Sequence, residues 1–364
     1  MYPLVRPLLF RLDAEQAHGL TLNALRAAGR FALTRGLLRR VFELNDPRLE
    51  VEAFGLRFKN PVGLAAGYDK NGVAVSGLST LGFGHLEVGT LTRLPQAGNP
   101  RPRIHRVVQA QALVNSMGFP NEGIGALPAG LLAAHGLAGA GRLPVRVGVN
   151  LGKGRDTPLE HAVDDYAALL QTVHARGQAH YVAINVSSPN TAGLRQLQAR
   201  QSLEALLAAL VQLRDSLSPR LPLLVKMAPD LSEGEAGDVL EAAIRTGADG
   251  LIVTNTTLSR DGVPQAANLK GGVSGAPLRA RSTDMVRRLA RQAAGQIAIV
   301  GVGGILTPAD ALEKLRAGAA LVQVYTGLVY AGPGLVRAIN RELLLACERA
   351  GLASVHELTA LPQA

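Results

Sequence analysis

The chain has 364 residues, 47% hydrophobic and 18% charged, with 41 glycines and 20 prolines spread without a period. That balance excludes a disordered, coiled-coil or collagen-like protein. Lys and Arg number 38 against 28 Asp and Glu, a formal charge of +10, so anionic ligands, an anionic membrane surface and nucleic acid are the partners to weigh. Aromatics at 4% and the absence of Trp leave no stacking platform for single strands, which argues against nucleic acid. The lone cysteine, Cys347, allows no disulfide framework and no cysteine metal cluster, as expected of a reducing compartment.

Half of the excess charge sits at the beginning. Residues 1–40 hold Arg6, Arg11, Arg26, Arg30, Arg35, Arg39 and Arg40 against Asp13 and Glu15, a net of +5. Leucines recur between these arginines at spacings of three, four and seven, which predicts two or three short amphipathic helices. Asp13, ahead of Ala-Glu-Gln-Ala, is a suitable N-cap. Such helices could cap the main domain or lie in a membrane interface with arginines on the head groups. Apolar runs reach neither the ~18 residues of a spanning helix nor a signal peptide's continuous core. We divide the chain into this segment, 1–45, and a main domain, 46–364.

From residue 60 a short apolar run, a polar or glycine-rich stop and a helical stretch repeat. The runs are Pro61–Ala65, His85–Gly89, Val145–Val149, Tyr181–Val186, Leu223–Met227, Gly250–Val253, Ile297–Gly301 and Leu321–Val324. Ser232 with Glu235 forms a capping box for one helix start. Eight strand–helix units with continuously apolar strands predict an α/β fold, a (β/α)8 TIM barrel. A doubly wound sheet would carry Gly-x-Gly-x-x-Gly after its first strand, where Ala-Ala-Gly-Tyr-Asp-Lys stands instead. The stretches 96–144 and 258–280 read as long loops, the second containing a mobile lid.

Barrel chemistry gathers at the C-terminal strand ends. Those positions hold Ala66, Gly67, Asp69 and Lys70; Thr90; Asn150; Asn185, Ser187, Ser188 and Asn190; Lys226; Thr254, Asn255 and Thr256; Gly303 and Gly304; and Tyr325 and Thr326. Without paired carboxylates the set does not suit glycoside hydrolysis. Without a His/Asp/Glu cluster at ligand spacing it does not suit metal-assisted hydrolysis. Amides and hydroxyls complement a heterocycle's edges, and the late glycine turns suit a phosphate. A Gly-Gly turn or a strand-end lysine alone is ordinary; their coincidence at eight successive strand ends is not.

Several strings carry a resemblance: Gly-Leu-Ala-Ala-Gly-Tyr-Asp-Lys (63–70), Glu-Val-Gly-Thr-Leu-Thr (87–92), Asn-Ser-Met-Gly-Phe (115–119), Asn-Leu-Gly-Lys (150–153), Asn-Val-Ser-Ser-Pro-Asn-Thr (185–191), Val-Lys-Met-Ala-Pro-Asp (225–230), Thr-Asn-Thr-Thr (254–257), Gly-Gly-Val-Ser-Gly (271–275) and Val-Gly-Val-Gly-Gly-Ile (300–305). In this order, from Tyr2 to about residue 345, the chain resembles the dihydroorotate dehydrogenases, specifically their quinone-dependent, membrane-associated class. The resemblance implies FMN-dependent oxidation of dihydroorotate to orotate in pyrimidine synthesis. It implies FMN contacts at Ala66, Gly67, Tyr68, Asp69, Lys70, Thr90, Asn150, Asn185, Lys226, Thr254, Gly275, Gly304, Tyr325 and Thr326. Substrate contacts would be Lys70, Asn115, Ser116, Met117, Gly118, Phe119, Asn185, Asn190, Asn255 and Thr256. Ser188 would be the base, with hydride passing to flavin N5 and Thr191 near enough to join a proton relay.

Serine at 188 also separates the classes, because soluble members carry cysteine there and lack such a helical extension. This argues against the alternative, a soluble FMN barrel using fumarate or NAD. The N-terminal segment would then form a quinone tunnel, with His18, Arg106 and Tyr325 lining it. The implied setting is peripheral, on the cytoplasmic face of the cell membrane, as a monomer with an anionic membrane surface and a membrane quinone as partners. The chain departs from the family pattern at Ser116, where arginine is frequent, at Thr326, where serine is common, and at His105, where an aromatic is usual.

Overall fold

In the computed structural model, residues 2–134, 143–191 and 193–359 are described. Three helices come first: α1 (Tyr2–Arg11), α2 (Ala14–Ala28) and α3 (Ala32–Phe42). Asp13 caps α2 by accepting from the Glu15 and Gln16 amides at 2.8 and 3.2 Å, as its position predicts. Of all residues in these helices, only Ala17 is fully buried. Leu33 is 85% exposed, Leu4 81% and Phe31 64%. One face of the group therefore remains apolar and uncovered.

The other face is attached at several points. Tyr2 Oη donates to the Val329 carbonyl and Arg6 donates to that of Tyr330 at 3.0 Å. Helix α2 lies so close to the short helix Val75–Leu78 that a Cβ on Gly77 would meet the Leu25 carbonyl oxygen at 2.1 Å. Glu15 reaches the main domain through Arg103 at 2.7 Å and Arg101 at 3.1 Å.

Next come the hairpin strands β1 (Val51–Ala53) and β2 (Leu56–Phe58), which pair antiparallel. The barrel strands are β3 (Val62–Leu64), β4 (His85–Leu91), β7 (Arg146–Leu151), β8 (Tyr181–Asn185), β9 (Leu223–Met227), β10 (Gly250–Val253), β12 (Ala298–Val302) and β13 (Leu321–Val324). They close in the order β3-β4-β7-β8-β9-β10-β12-β13, all parallel, with β13 returning to β3. Every residue of β4, β8, β9, β10 and β13 is buried. Strands covered on both faces have no reason to alternate, and so they read as apolar runs. Both faces of the predicted capping box at Ser232 and Glu235 are made.

The N-terminal end of the barrel is plugged by aromatic rings from Phe54, Phe58, His85 and Tyr181. Burial pushes the His85 imidazole down to about 3, so this ring is neutral.

Residues 96–144 and 258–280 are not simply loops. They contain β5 (Ile104–Val107), β6 (Ala112–Asn115) and β11 (Gly272–Gly275), which pair as a three-stranded antiparallel sheet in the order β11-β6-β5. Strands of four residues, one of them Gly-Val-Ser-Gly, are too short to show a period. Residues 135–142 of the first stretch lie outside the described residues.

Candidate active site

The strand ends and the three-stranded sheet surround a cavity. Ala66, Gly67, Lys70, Thr90, Asn185, Ser188, Asn190 and Lys226 line it, with Thr254, Asn255, Thr256, Gly275, Gly304, Tyr325 and Thr326. The sheet contributes Asn115, and its flanking loop adds Met117, Gly118 and Phe119. Residues from all over the sequence thus converge, because most follow the strands of one closed barrel and the others come from the three-stranded sheet and its flanking loop.

Four expected positions do not line the cavity. Tyr68 turns toward the N-terminal helices, its ring edge-on to His18 at 4.9 Å and its hydroxyl 3.4 Å from Thr21 Oγ1. Asp69 is consumed by its own loop, accepting from the Val73 and Ala74 amides at 2.9 and 2.7 Å. Asn150 lies one layer deeper, donating to Glu87 at 2.8 Å and accepting from Thr90 at 2.6 Å. Ser116 takes part through its backbone, its carbonyl accepting from Asn99 at 2.7 Å.

The local geometry is polar and ordered. Asn185 Nδ2 donates to Thr90 Oγ1 and Asn150 Oδ1 at 3.0 and 3.1 Å. Asn190 Nδ2 donates to Asn115 Oδ1 at 3.2 Å, while its backbone N–H donates to Ser188 Oγ at the same length. Among the described residues, Ser188 makes no hydrogen bond to Thr191. Ser274 and Thr326 share a hydroxyl hydrogen bond of 2.8 Å beside the glycine turns. Burial holds the Lys70 ammonium down at about 8, against the opposing pull of Glu15. Lys226 faces Glu87 at 3.7 Å.

Two glycines form a cradle that larger residues would fill. At Gly304 (φ +73°) a Cβ would meet Arg279 Cα at 2.3 Å, and at Gly275 (φ +98°) the Gln111 carbonyl oxygen at 2.2 Å. Gln323 also lines the cavity, and its Oε1 is buried with no hydrogen-bond partner. A bound group that donates a hydrogen bond here would satisfy that oxygen. The sequence reading missed Gln323 and Glu87; the available signal was a carboxylate inside an otherwise apolar strand.

A second cavity lies against the N-terminal helices. Apolar residues such as Val5, Leu9, Phe10, Leu38 and Phe42 line it, together with His18 and Arg106. Arg106 donates to the Leu12 carbonyl at 2.8 Å and stacks over Phe10 at 4.9 Å. Burial, with the Lys70 charge second, pushes His18 down to about 4. Ile104, Leu113 and Tyr325 line both cavities.

A parallel barrel with this amide-rich cavity and glycine cradle at its C-terminal end belongs to the class of barrels that bind a planar, phosphate-bearing cofactor. The chain is a member of the dihydroorotate dehydrogenase family, whose model matches residues 48–346. It is 49% identical to the dihydroorotate dehydrogenase (quinone) of Acidithiobacillus ferrooxidans, over 94% of each chain. It is 47% identical to that of a Roseiflexus species, over 98% of this chain and 97% of the relative. Among solved structures it is similar to the enzyme of Eimeria tenella in complex with ferulenol. That match has a TM-score of 0.85 and 37% identity, over 95% of each chain.

Proposed function

We propose that the chain oxidises dihydroorotate to orotate, with FMN as cofactor and a membrane quinone as final acceptor, a step of pyrimidine synthesis. The reading rests above all on two cavities, one polar and one apolar, that meet at Ile104, Leu113 and Tyr325. Each half of the reaction then has its own compartment.

When bound, FMN supplies the two-electron acceptor that takes hydride from the substrate and passes its electrons to quinone. The Gly275 and Gly304 turns, with the Thr326 hydroxyl, suit its phosphate; Lys226, Asn185, Thr90 and Gln323 suit the heterocycle. Lys70 pairs with the substrate carboxylate, and Asn115, Asn190, Asn255 and Thr256 hold the ring by amide and hydroxyl hydrogen bonds. Ser188 removes the proton from the carbon beside the one that loses hydride, and its own hydroxyl proton leaves to solvent or a neighbouring group. His18 and Arg106 belong to the quinone compartment. Tyr325, shared by both, separates quinone from substrate.

The uncovered apolar face and the arginines of residues 1–40 fit a peripheral seat on an anionic membrane. We assign that seat to the cytoplasmic face, with the chain as a monomer. No helix among the described residues is long and apolar enough to cross a membrane.

The test is direct. The purified chain is expected to show a flavin absorption spectrum and to oxidise dihydroorotate with a ubiquinone analogue. A colourless protein, or turnover with only fumarate or NAD, would overturn the reading.

A further inference from the structure

The carboxylate of Glu87 is fully enclosed beneath the polar cavity and has a role that the substrate- and cofactor-lining residues do not explain. Asn150 Nδ2 donates to its Oε1 at 2.8 Å, and Gln323 Nε2 donates to its Oε2, also at 2.8 Å. Tyr181 Oη approaches Oε2 at 3.4 Å and Lys226 Nζ approaches Oε1 at 3.7 Å. The side chain has no exposed surface.

Both Glu87 oxygens accept, from Asn150 Nδ2 and Gln323 Nε2, whereas an amide can present either end. Glu87 therefore dictates the direction of its neighbours. Asn150 must turn its NH2 toward Glu87, which leaves Oδ1 to accept from Thr90 at 2.6 Å and Asn185 at 3.1 Å. Asn185, having given its NH2, offers Oδ1 to the Ser187 hydroxyl at 3.1 Å and Asn255 Nδ2 at 3.4 Å. Asn255 then presents Oδ1 to the Thr256 amide at 2.8 Å. On the other side, Gln323 gives its NH2 to Glu87, and its Oε1 is left buried without a partner at the cavity wall.

We propose that Glu87 is the positioning residue that sets the polarity of the whole amide network and the counter-charge of Lys226 for the bound flavin. It touches neither ligand itself. It acts by fixing which end of each amide faces the cavity, and by giving the Lys226 ammonium a negative partner. Without the carboxylate, Lys226 adds an uncompensated positive charge beside the flavin and favours its electron-rich, reduced form.

This inference rests on the FMN reading above, and one purification separates the two: if the unsubstituted chain binds no flavin, that reading fails first. With flavin present, Glu87→Gln and Glu87→Asp are compared as holoenzymes by dye-coupled reduction, and as apoproteins by flavin-fluorescence titration with FMN. Glu87→Gln is expected to weaken FMN at least tenfold and to move the midpoint potential to more positive values. Glu87→Asp keeps the charge and is expected to retain the native potential. An unchanged potential with FMN affinity within twofold in Glu87→Gln would overturn the proposal. So would equal displacement in both variants, because that reports general damage.

Should Glu87→Gln lose its native circular dichroism, Gln323→Met tests the same network with the carboxylate in place. It is expected to weaken FMN at least fivefold, and unchanged affinity in a folded protein would overturn the inference.

Discussion

Ser188 sits on the loop that leaves β8, held by the Asn190 amide on its Oγ, and its proposed role is that of the base. Ser188→Ala should slow flavin reduction by dihydroorotate by roughly 10²–10⁴, the usual size of a general-base contribution. FMN content should stay native, and a reductive half-reaction of normal speed in stopped flow would refute the role. Lys70 makes a separate claim through pH. Burial holds its ammonium at about 8, so below that pH the group is charged and attracts the orotate carboxylate. As pH rises through 8 the free protein loses that charge. The dissociation constant of orotate should then rise about tenfold per pH unit, and a pH-independent constant up to 9.5 would contradict the pairing. Both residues were legible in sequence because they follow strands, where polar groups stand out. Glu87 and Gln323 were not, since they lie within strands and not at the strand ends where the site was sought. Only closure of the barrel turns these two inward.

At the scale of elements, one clasp joins the loops around the site. Asp230, just beyond β9, accepts from Arg195 at 2.9 Å, the Leu258 amide at 2.9 Å and Arg281 at 3.0 Å, as well as from the Thr257 hydroxyl. Arg195 in turn donates to the Ser187 and Thr256 carbonyls, each at 3.2 Å. The loop bearing the proposed base and the loop bearing Asn255 are thus tied to one carboxylate. Asp230→Ala should lower kcat/KM for dihydroorotate on the order of 10–10²-fold by loosening both loops, in line with the cost of small misplacements. FMN affinity should be preserved; an unaltered kcat/KM would show that the loops hold their geometry without the clasp. The eight barrel strands were legible because burial on both faces writes an apolar run. The sheet of β5, β6 and β11 was not, because β5 and β6 are four-residue strands of a short hairpin and β11 finds its partner β6 more than 150 residues away in the chain, a pairing no local pattern records.

At the scale of the whole molecule, charge and apolar exposure coincide at the N-terminal helices. Leu33 and Phe31 stand free of the core, and burying one such side chain contributes roughly 1.5–3 kcal/mol. Leu33→Glu should therefore weaken sedimentation with anionic vesicles by about tenfold or more, while dihydroorotate oxidation with a water-soluble dye stays native. Binding should also fall with added salt as arginine–phosphate attraction is screened. A Leu33→Glu chain that sediments like the native one would place the membrane contact elsewhere.

The apolar cavity between those helices sets the terms on which the second half of the reaction is fed. Its walls are Leu9, Phe10, Leu38 and Phe42, a lining that draws its ligand from oil and not from water. On the proposed membrane seat the acceptor would arrive by diffusion in two dimensions, so its concentration would be a surface density. Turnover should follow the mole fraction of quinone in the lipid, and diluting the same vesicles with buffer should leave it unchanged. Adding quinone-free lipid fused into those vesicles should slow it, even though the amount of quinone per millilitre has not moved.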